Sequence, residues 1–209
     1  MTNKITDTEL AGAIADLERE CKESPASVRA HHHLGLVYRQ AGRLEEAAEK
    51  LERAIELDDQ ASESYVNLGA IYFEMGLLDK ALALNKKALA QLVKPAQAHV
   101  NIGLIHQHRG NFQEAINSYQ KATVHDPEFG MAWVNLASAQ IIEGDYQGAL
   151  GSARKGVELN PDFAMAHNNL AVALYFNKDY TAARAELDKA IAQGYQPESK
   201  FVEALEQEL

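Results

Sequence analysis

The sequence predicts an all-α protein made of stacked antiparallel helix pairs, because three kinds of residue recur with one spacing. Small residues return every 34 positions, at Gly35, Gly69, Gly103, Ala137 and Ala171. Alanines keep the same step, at Ala47, Ala81, Ala115, Ala149 and Ala183. Further glycines keep it as well, at Gly42, Gly76, Gly110 and Gly144, until Lys178 interrupts the series. A fixed period of this length is typical of proteins built from helical repeats.

The repeating unit is most complete at residues 96–129, where two amphipathic runs flank Gly110-Asn111 and Pro127 closes the unit. It resembles the tetratricopeptide repeat, in which a large residue, Leu-Gly, Tyr, Ala, an aromatic residue, Ala and Pro follow at set offsets. These offsets are occupied by Tyr65, Leu68-Gly69 and Tyr72 in one copy, and by Trp133 and Leu136-Ala137 in another. The resemblance implies a right-handed superhelix of about 12 helices. Its five copies are 28–61, 62–95, 96–129, 130–163 and 164–197.

The segments outside the five copies are expected to cap the array. Residues 1–27 form a capping half-repeat, in which Asp7 or Thr8 caps a helix that runs to about Glu20. Residues 198–209 form a capping helix with Phe201, Leu205 and Leu209 on one side and acidic residues on the other. A polar outer face of this kind keeps the end of a repeat array in water.

Turn chemistry predicts where the helices end. The recurring turn glycine ends each first helix in the left-handed conformation, and Asn177 takes that role in the fifth copy. The second helices are capped by side chains in three copies, at Asn111, Asp145 and Asp179. Arg43 and Leu77 hold that position in the first two copies, so these helix starts lack a good cap.

The small residue within each first helix predicts a close helix crossing. Glycine there costs ~1 kcal/mol of helix propensity relative to alanine, and close packing offsets that cost. Replacing Gly69 with leucine is therefore expected to cost on the order of 1–3 kcal/mol. The second helix of the fourth copy holds Gly148, Gly151 and Gly156. A tolerated weak helix is the favoured interpretation, ahead of a hinge or a close backbone approach.

Composition excludes several classes of function. The 209 residues carry a formal charge of −10 at a pI near 5.3, which disfavours nucleic acid and anionic membranes as partners. The single cysteine, Cys21, fits a reducing compartment. Neither a signal peptide nor an apolar run long enough to span a membrane is visible, so we expect a cytoplasmic protein without membrane insertion.

Motifs for catalysis and metal binding are not found, so we expect no enzyme activity, no cofactor and no metal. The sequence has no Gly-x-Ser-x-Gly elbow, no His-Glu-x-x-His and no Gly-x-Gly-x-x-Gly. His31-His32-His33 does not predict a metal site, because consecutive helical side chains point roughly 100° apart. Core or interface histidines are the favoured interpretation.

The first helices of such arrays line an inner face, and one position there repeats an asparagine. The series consists of Asn67, Asn101, Asn135 and Asn169, with His33 in its place in the first copy. It is similar to the asparagine ladder of tetratricopeptide arrays in O-linked N-acetylglucosamine transferases, which hold extended peptides. A side-chain amide offers a donor and an acceptor to a peptide unit. The alternative is a repeat preference without ligand contact.

The remaining candidate peptide-binding residues surround that ladder. The apolar ones are Val66, Val100, Val134, Phe73, Ile141, Met131 and Met165. Arg29 and Arg39 make the other end basic, which suggests a ligand with apolar side chains and an acidic end. The chaperone-binding carboxylate clamp of the family is disfavoured, because its lysine position holds His32, Val66 or Val100.

The sequence therefore predicts a non-catalytic adaptor or scaffold that binds a peptide or protein segment on its inner, concave face. The alternative is a scaffold that assembles into homo-oligomers. On the first interpretation, Asn101→Ala combined with Asn135→Ala weakens partner binding and leaves the fold intact.

Overall fold

The computed structural model describes residues 7–91 and 95–209, which form twelve helices and no strand. The first six helices are α1 (Asp7–Glu23), α2 (Val28–Gln40), α3 (Leu44–Leu57), α4 (Ser62–Glu74), α5 (Leu78–Leu89) and α6 (Ala96–His108). The last six are α7 (Phe112–His125), α8 (Gly130–Glu143), α9 (Tyr146–Leu159), α10 (Ala164–Phe176), α11 (Tyr180–Ala192) and α12 (Ser199–Glu206). The all-α helical-repeat prediction is confirmed.

The helices group into two compact units whose boundary falls between Asn101 and Ile102, within α6. In the first unit, α1 packs on α2, α2 on α3, α3 on α4, and α4 on α5. In the second unit the same succession runs from α7 to α11, and the first helices α8 and α10 also lie side by side. The core of each unit thus lies between consecutive antiparallel helices.

Small residues allow the two helices of a copy to approach closely, as the sequence predicts. A methyl group on Gly35 would lie 2.8 Å from Leu51 Cγ, and one on Gly103 would overlap the Tyr119 ring. In the fourth copy Ala137 and Ala153 take these positions, and both are almost fully buried. Glycine therefore faces a large residue, whereas alanine in the fourth copy faces a small one.

The first helices end as predicted, with one exception. Gly42, Gly76, Gly110 and Gly144 have φ between +73° and +79°, which is the left-handed region. The prediction that Asn177 adopts this conformation in the fifth copy is wrong. Asn177 has φ −90°, and Lys178 is left-handed with φ +64°. The Asn177 amide instead donates to the carbonyl oxygens of Ala173 and Tyr146, at 2.7 and 3.0 Å.

The predicted caps of the second helices are confirmed at two positions. Asp145 accepts a hydrogen bond from the Gly148 amide at 2.9 Å, and Asp179 accepts one from Ala182 at 3.2 Å. The cap predicted at Asn111 is wrong, because its side chain accepts no capping hydrogen bond.

The first two copies lack a side-chain cap, as expected from Arg43 and Leu77. Arg43 instead pairs with Glu46 in the first turn of α3, and this hydrogen bond lowers the pKa of the Glu46 carboxyl. An acidic side chain in the first turn of a helix also interacts favourably with the helix dipole.

Helices α1 and α12 pack at the two ends of the described chain. Ile14, Leu17 and Cys21 of α1 pack against a cluster that includes Leu34 and Tyr38. The predicted cap at Asp7 falls on a side chain outside the described residues, as do residues 1–6. In α12, Leu205 is fully buried and Phe201 packs beside it. Leu209 is 62% exposed, so its predicted place on the packed side is wrong.

The three glycines of α9 have different surroundings. A methyl group on Gly156 would lie 3.1 Å from Val134 Cγ2, and one on Gly148 would collide with Asp145 and Gln140. Gly151 is exposed and faces open space. Close packing therefore explains Gly148 and Gly156, whereas Gly151 has no packing role.

Candidate functional site

The asparagine ladder is engaged in hydrogen bonds between repeats. Asn101 Nδ2 donates to the Val66 carbonyl oxygen at 3.3 Å, and Asn169 Nδ2 donates to the Val134 carbonyl oxygen at 3.1 Å. Both asparagines are 6% exposed. Asn101 also donates to Asn85 Oδ1 at 3.0 Å. These two amides link consecutive first helices. Replacing Asn101 would therefore disturb the packing of its unit as well as the binding of any ligand.

The other two members of the ladder are partly exposed. Asn67 Nδ2 lies 3.4 Å from His32 Nε2, and His32 Nδ1 lies 2.8 Å from Ser64 Oγ. Because an amide nitrogen only donates, His32 Nε2 accepts and Nδ1 carries the proton. Burial, and then the neighbouring His33, lower the pKa of His32, which favours this neutral form. Asn135, like Asn67, is partly exposed, so its amide is accessible to a ligand.

The valines beside the ladder belong to the core. Val66, Val100 and Val134 are 7%, 3% and 1% exposed, respectively. Their side chains point between helices, so they do not offer a surface to a ligand in this conformation. A sequence pattern places a residue on a helix face, but it does not show how closely the next helix covers that face.

Exposed apolar side chains concentrate on α8 and α10. Met131 and Ile142 of α8 are 37% and 51% exposed, and Met165 and Phe176 of α10 are 41% and 46% exposed. Met131 and Met165 are 34 residues apart, as are Ile142 and Phe176, so they hold equivalent positions on neighbouring helices. We call the surface formed by these four residues the inner apolar face.

A pocket of about 470 Å³ adjoins this face, between the ends of α8 and α10 and the helix α12. Its apolar walls are formed by Ile141, Val172, Tyr175, Phe176, Phe201 and Ala204. Tyr175 packs edge-on against Phe201 with ring centroids 5.6 Å apart, whereas Phe176 stacks on Tyr146 at 3.8 Å. Helix α12 therefore covers part of Tyr175 and leaves Phe176 open. We call this cavity the aromatic pocket.

The predicted basic end of the groove is largely neutralised. Arg39 pairs with Glu74, and Arg29 lies 3.3 Å from Glu20. His33 is exposed beside Arg29 and lines a polar pocket of about 440 Å³ that also contains acidic groups. The acidic end expected of the ligand thus has no unpaired arginine to bind. Phe73, the remaining predicted contact, is half-buried in α4.

Sequence reasoning missed a recurring hydrogen bond near the start of the first helices. The ring nitrogens of His31, Trp133 and His167 donate to the carbonyl oxygens of Pro25, Pro127 and Pro161, at 3.1, 2.8 and 2.8 Å. A ring that carries an N–H six residues after a proline is the signal that could have revealed it. His167 is further held by Glu186, 2.6 Å from its Nδ1. These rings therefore stabilise the repeat and leave the inner apolar face to other residues.

Over residues 7–91 and 95–209, no group of three or more His, Cys, Asp or Glu side chains is arranged to hold a metal ion. No helix in the same ranges has the length and apolar character needed to cross a bilayer.

The fold and the inner face define a helical-repeat protein. Family models match the chain as "TPR repeat" at residues 35–76 and as "Tetratricopeptide repeat" at 96–129 and 143–197. The chain belongs to the tetratricopeptide repeat family. No curated protein sequence matches it significantly.

Solved structures share this fold at low sequence identity. The hetero-tetramer Cut9–Hcn1 of the APC/C matches with a TM-score of 0.81 and 18% identity, over 97% of this chain and 40% of that one. This chain therefore spans less than half the length of that protein. PilF of Pseudomonas aeruginosa matches with a TM-score of 0.75 and 24% identity, over 85% and 80% of the two chains. YrrB, described as a TPR protein with an unusual peptide-binding site, matches with a TM-score of 0.65 and 21% identity, over 91% of this chain and 96% of that one.

Proposed function

We propose that this protein is a non-catalytic adaptor that binds a segment of another protein on the inner apolar face of α8 and α10. The observation that carries the proposal is the exposure of four large apolar side chains, Met131, Ile142, Met165 and Phe176, on two adjacent helices. Contiguous exposed apolar residues mark interaction surfaces more often than single ones do. Methionine suits such a surface, because its flexible side chain adapts to different partners.

The similar structures agree with a role in protein interactions. One belongs to a multi-subunit assembly and another has a peptide-binding site, although at these identities they show only a shared fold. The adaptor proposal differs from the ladder hypothesis in one respect. Side-chain amides of Asn101 and Asn169 stabilise the array, and the ligand contacts the four exposed residues of the inner apolar face.

The test is the affinity of peptides selected from a random display library on the wild-type protein. Their dissociation constants are measured by fluorescence anisotropy for the wild type and for a Met131→Glu/Met165→Glu variant. We expect the double variant to bind about tenfold more weakly or worse, because it loses apolar contact area and buries charge at the interface.

Val124→Glu is the matched control, since Val124 is 78% exposed on α7 and outside the inner apolar face. It introduces the same charged side chain, and its affinity should equal that of the wild type. Peptides that bind the Met131/Met165 variant as tightly as the wild type would refute the proposed surface.

The alternative occupant of this face is a second copy of the chain. Light scattering over a range of concentrations separates the two proposals. A molar mass that rises with concentration in the wild type and stays monomeric in the Met131/Met165 variant would favour self-assembly. A monomeric molar mass at every concentration would refute self-assembly and leave the adaptor proposal standing.

A further inference from the structure

The aromatic pocket has a chemistry that selects among ligands. Four aromatic residues line it, and Tyr175 makes T-shaped contacts with two of them, Phe176 and Phe201, at interplanar angles of 85°. Its volume of about 470 Å³ lies within the range of roughly 300–1,000 Å³ that is typical of ligand sites. Such walls favour an inserted aromatic ring, because edge-to-face contacts add to the effect of apolar burial.

Four polar residues also line the pocket. Asn168, Tyr195, Glu198 and Lys200 line the pocket beside the apolar walls. A buried tryptophan or tyrosine usually needs a hydrogen-bond partner for its N–H or O–H group, whereas leucine or phenylalanine does not. The combination of ring walls and nearby acceptors therefore fits an aromatic side chain with a polar end.

The charge around the pocket indicates what flanks that side chain. Residues 198–209 contain four Glu and one Lys, and residues 102–209 contain 14 acidic and 8 basic residues. The exposed Glu198 and Lys200 both line the pocket, and Glu206 is paired with Arg184, so the acidic excess of this segment lies at Glu203 and Glu208. Complementary charge speeds association and suppresses wrong partners, so this acidic surface favours lysine or arginine in the ligand.

We infer that the aromatic pocket holds a tryptophan or tyrosine of the bound protein segment, with basic residues beside it in the sequence. This inference rests on the proposed adaptor function and names the residue that anchors the ligand. Buried tryptophan and tyrosine dominate the binding energy of many interfaces. Helix α12 then supplies one wall of the specificity site in addition to covering the last helix pair.

The probes are three short peptides, Ac-Gly-Lys-Trp-Lys-Gly-NH2, its leucine analogue and its Glu-Trp-Glu analogue. Each is titrated into the isotopically labelled 209-residue chain, and binding is followed by amide chemical shifts in NMR spectra. We expect the Lys-Trp-Lys peptide to shift resonances at the aromatic pocket saturably. The leucine analogue should bind about fivefold more weakly, and the Glu-Trp-Glu analogue should also be weaker.

Filling the pocket should weaken this binding. Ala204→Phe adds a ring from α12, and Val172→Phe adds one from α10. Loss of peptide binding in both variants therefore cannot be explained by a disturbance of α12 alone. The control is Ala83→Phe, which places the same ring in a separate apolar pocket of about 420 Å³ between α3 and α5. We expect both filling variants to bind about tenfold more weakly and the control to bind normally.

Three results would overturn the inference: equal affinity of the tryptophan and leucine peptides, unchanged binding in both filling variants, or shifts located away from the pocket. The Met131→Glu/Met165→Glu variant separates this failure from failure of the adaptor. If library peptides lose affinity in the Met131→Glu/Met165→Glu variant but bind the pocket-filling variants normally, the adaptor proposal stands and the anchoring role of the aromatic pocket is refuted. Library peptides indifferent to the methionines would refute the adaptor, whatever the short peptides do.

Discussion

The distance between the two helices of the third copy is set by one residue, Gly103. Its Cα faces the ring of Tyr119, which is fully buried and donates a hydrogen bond to Gln107 at 2.9 Å. A ring held in this way cannot move aside. We expect Gly103→Ala to lower the free energy of unfolding by up to about 2 kcal/mol, because overpacking costs ~1–3 kcal/mol and the gain in helix propensity offsets only ~1 kcal/mol of it. Urea denaturation measures the difference.

Gly151→Ala is the matched control for this substitution. Gly151 is also helical, but a methyl group there meets open space, so only the gain in propensity of ~1 kcal/mol remains. The two identical substitutions should therefore change stability in opposite directions. A stabilised Gly103→Ala protein would show that the close crossing does not require glycine.

At the scale of single residues, the sequence predicted packing better than it predicted exposure. The period located Gly35, Gly69 and Gly103 correctly as sites of close approach. It also placed Val134 and Asn169 on the inner face, where the structure buries both. A repeat pattern defines equivalent positions, but the depth to which each is covered depends on the neighbouring copy. The peptide-binding role of the accessible residues remains a prediction.

The end of helix α10 shows how the repeat keeps its register without its usual residue. Lys178 occupies the glycine position with φ +64°, a conformation that costs a non-glycine residue about 1–2 kcal/mol. We expect Lys178→Gly to raise the free energy of unfolding by about 0.5–1 kcal/mol, because the relief of strain exceeds the extra chain entropy of glycine. Chemical denaturation of the two proteins provides the measurement.

Gly144→Lys tests the same position at the end of α8, where φ is +79°. It should lose about 1 kcal/mol, since it creates the strain that Lys178 already bears. If Lys178→Gly proved less stable than the wild type, contacts of the lysine side chain would outweigh its backbone strain.

Helix boundaries followed from the sequence more completely than helix caps did. Turn glycines and prolines fixed the ends of the helices, since few other residues adopt the required backbone. Capping depends on a side-chain rotamer, and here the sequence was insufficient. Asp145 and Asp179 cap their helices and Asn111 does not, although aspartate and asparagine are both good caps.

Across the whole chain, the all-α architecture could be read from the 34-residue period, and the family could be read from the residues at set offsets within that period. The aromatic pocket could not, because α12 and the connection before it complete this pocket and lie outside the repeats. Contacts between a regular array and an irregular segment leave no periodic signal. For this reason the sequence did not identify Phe201 and Ala204 as candidate contacts.

Tyrosines that hydrogen-bond to glutamates make the stability of the chain dependent on alkaline pH. Tyr38 donates to Glu18 at 2.6 Å, and Tyr72 donates to Glu52. Burial, followed by these hydrogen bonds, raises the pKa of each tyrosine from 10.0 to about 12. Burial also raises the pKa of Tyr119. A raised pKa contributes stability that is complete below the unfolded value of 10.0 and is lost as pH rises through about 12.

We therefore expect the free energy of unfolding to fall above pH ~10, where the unfolded chain releases tyrosine protons that the folded chain retains. Urea titrations at about pH 9 and about pH 11 measure the slope. In a Tyr38→Phe/Tyr72→Phe variant the decline should be shallower, because two of the tyrosines with a raised pKa no longer titrate. An equally steep decline in that variant would assign the alkaline sensitivity to other groups, such as the lysines, whose protons are also released in this range.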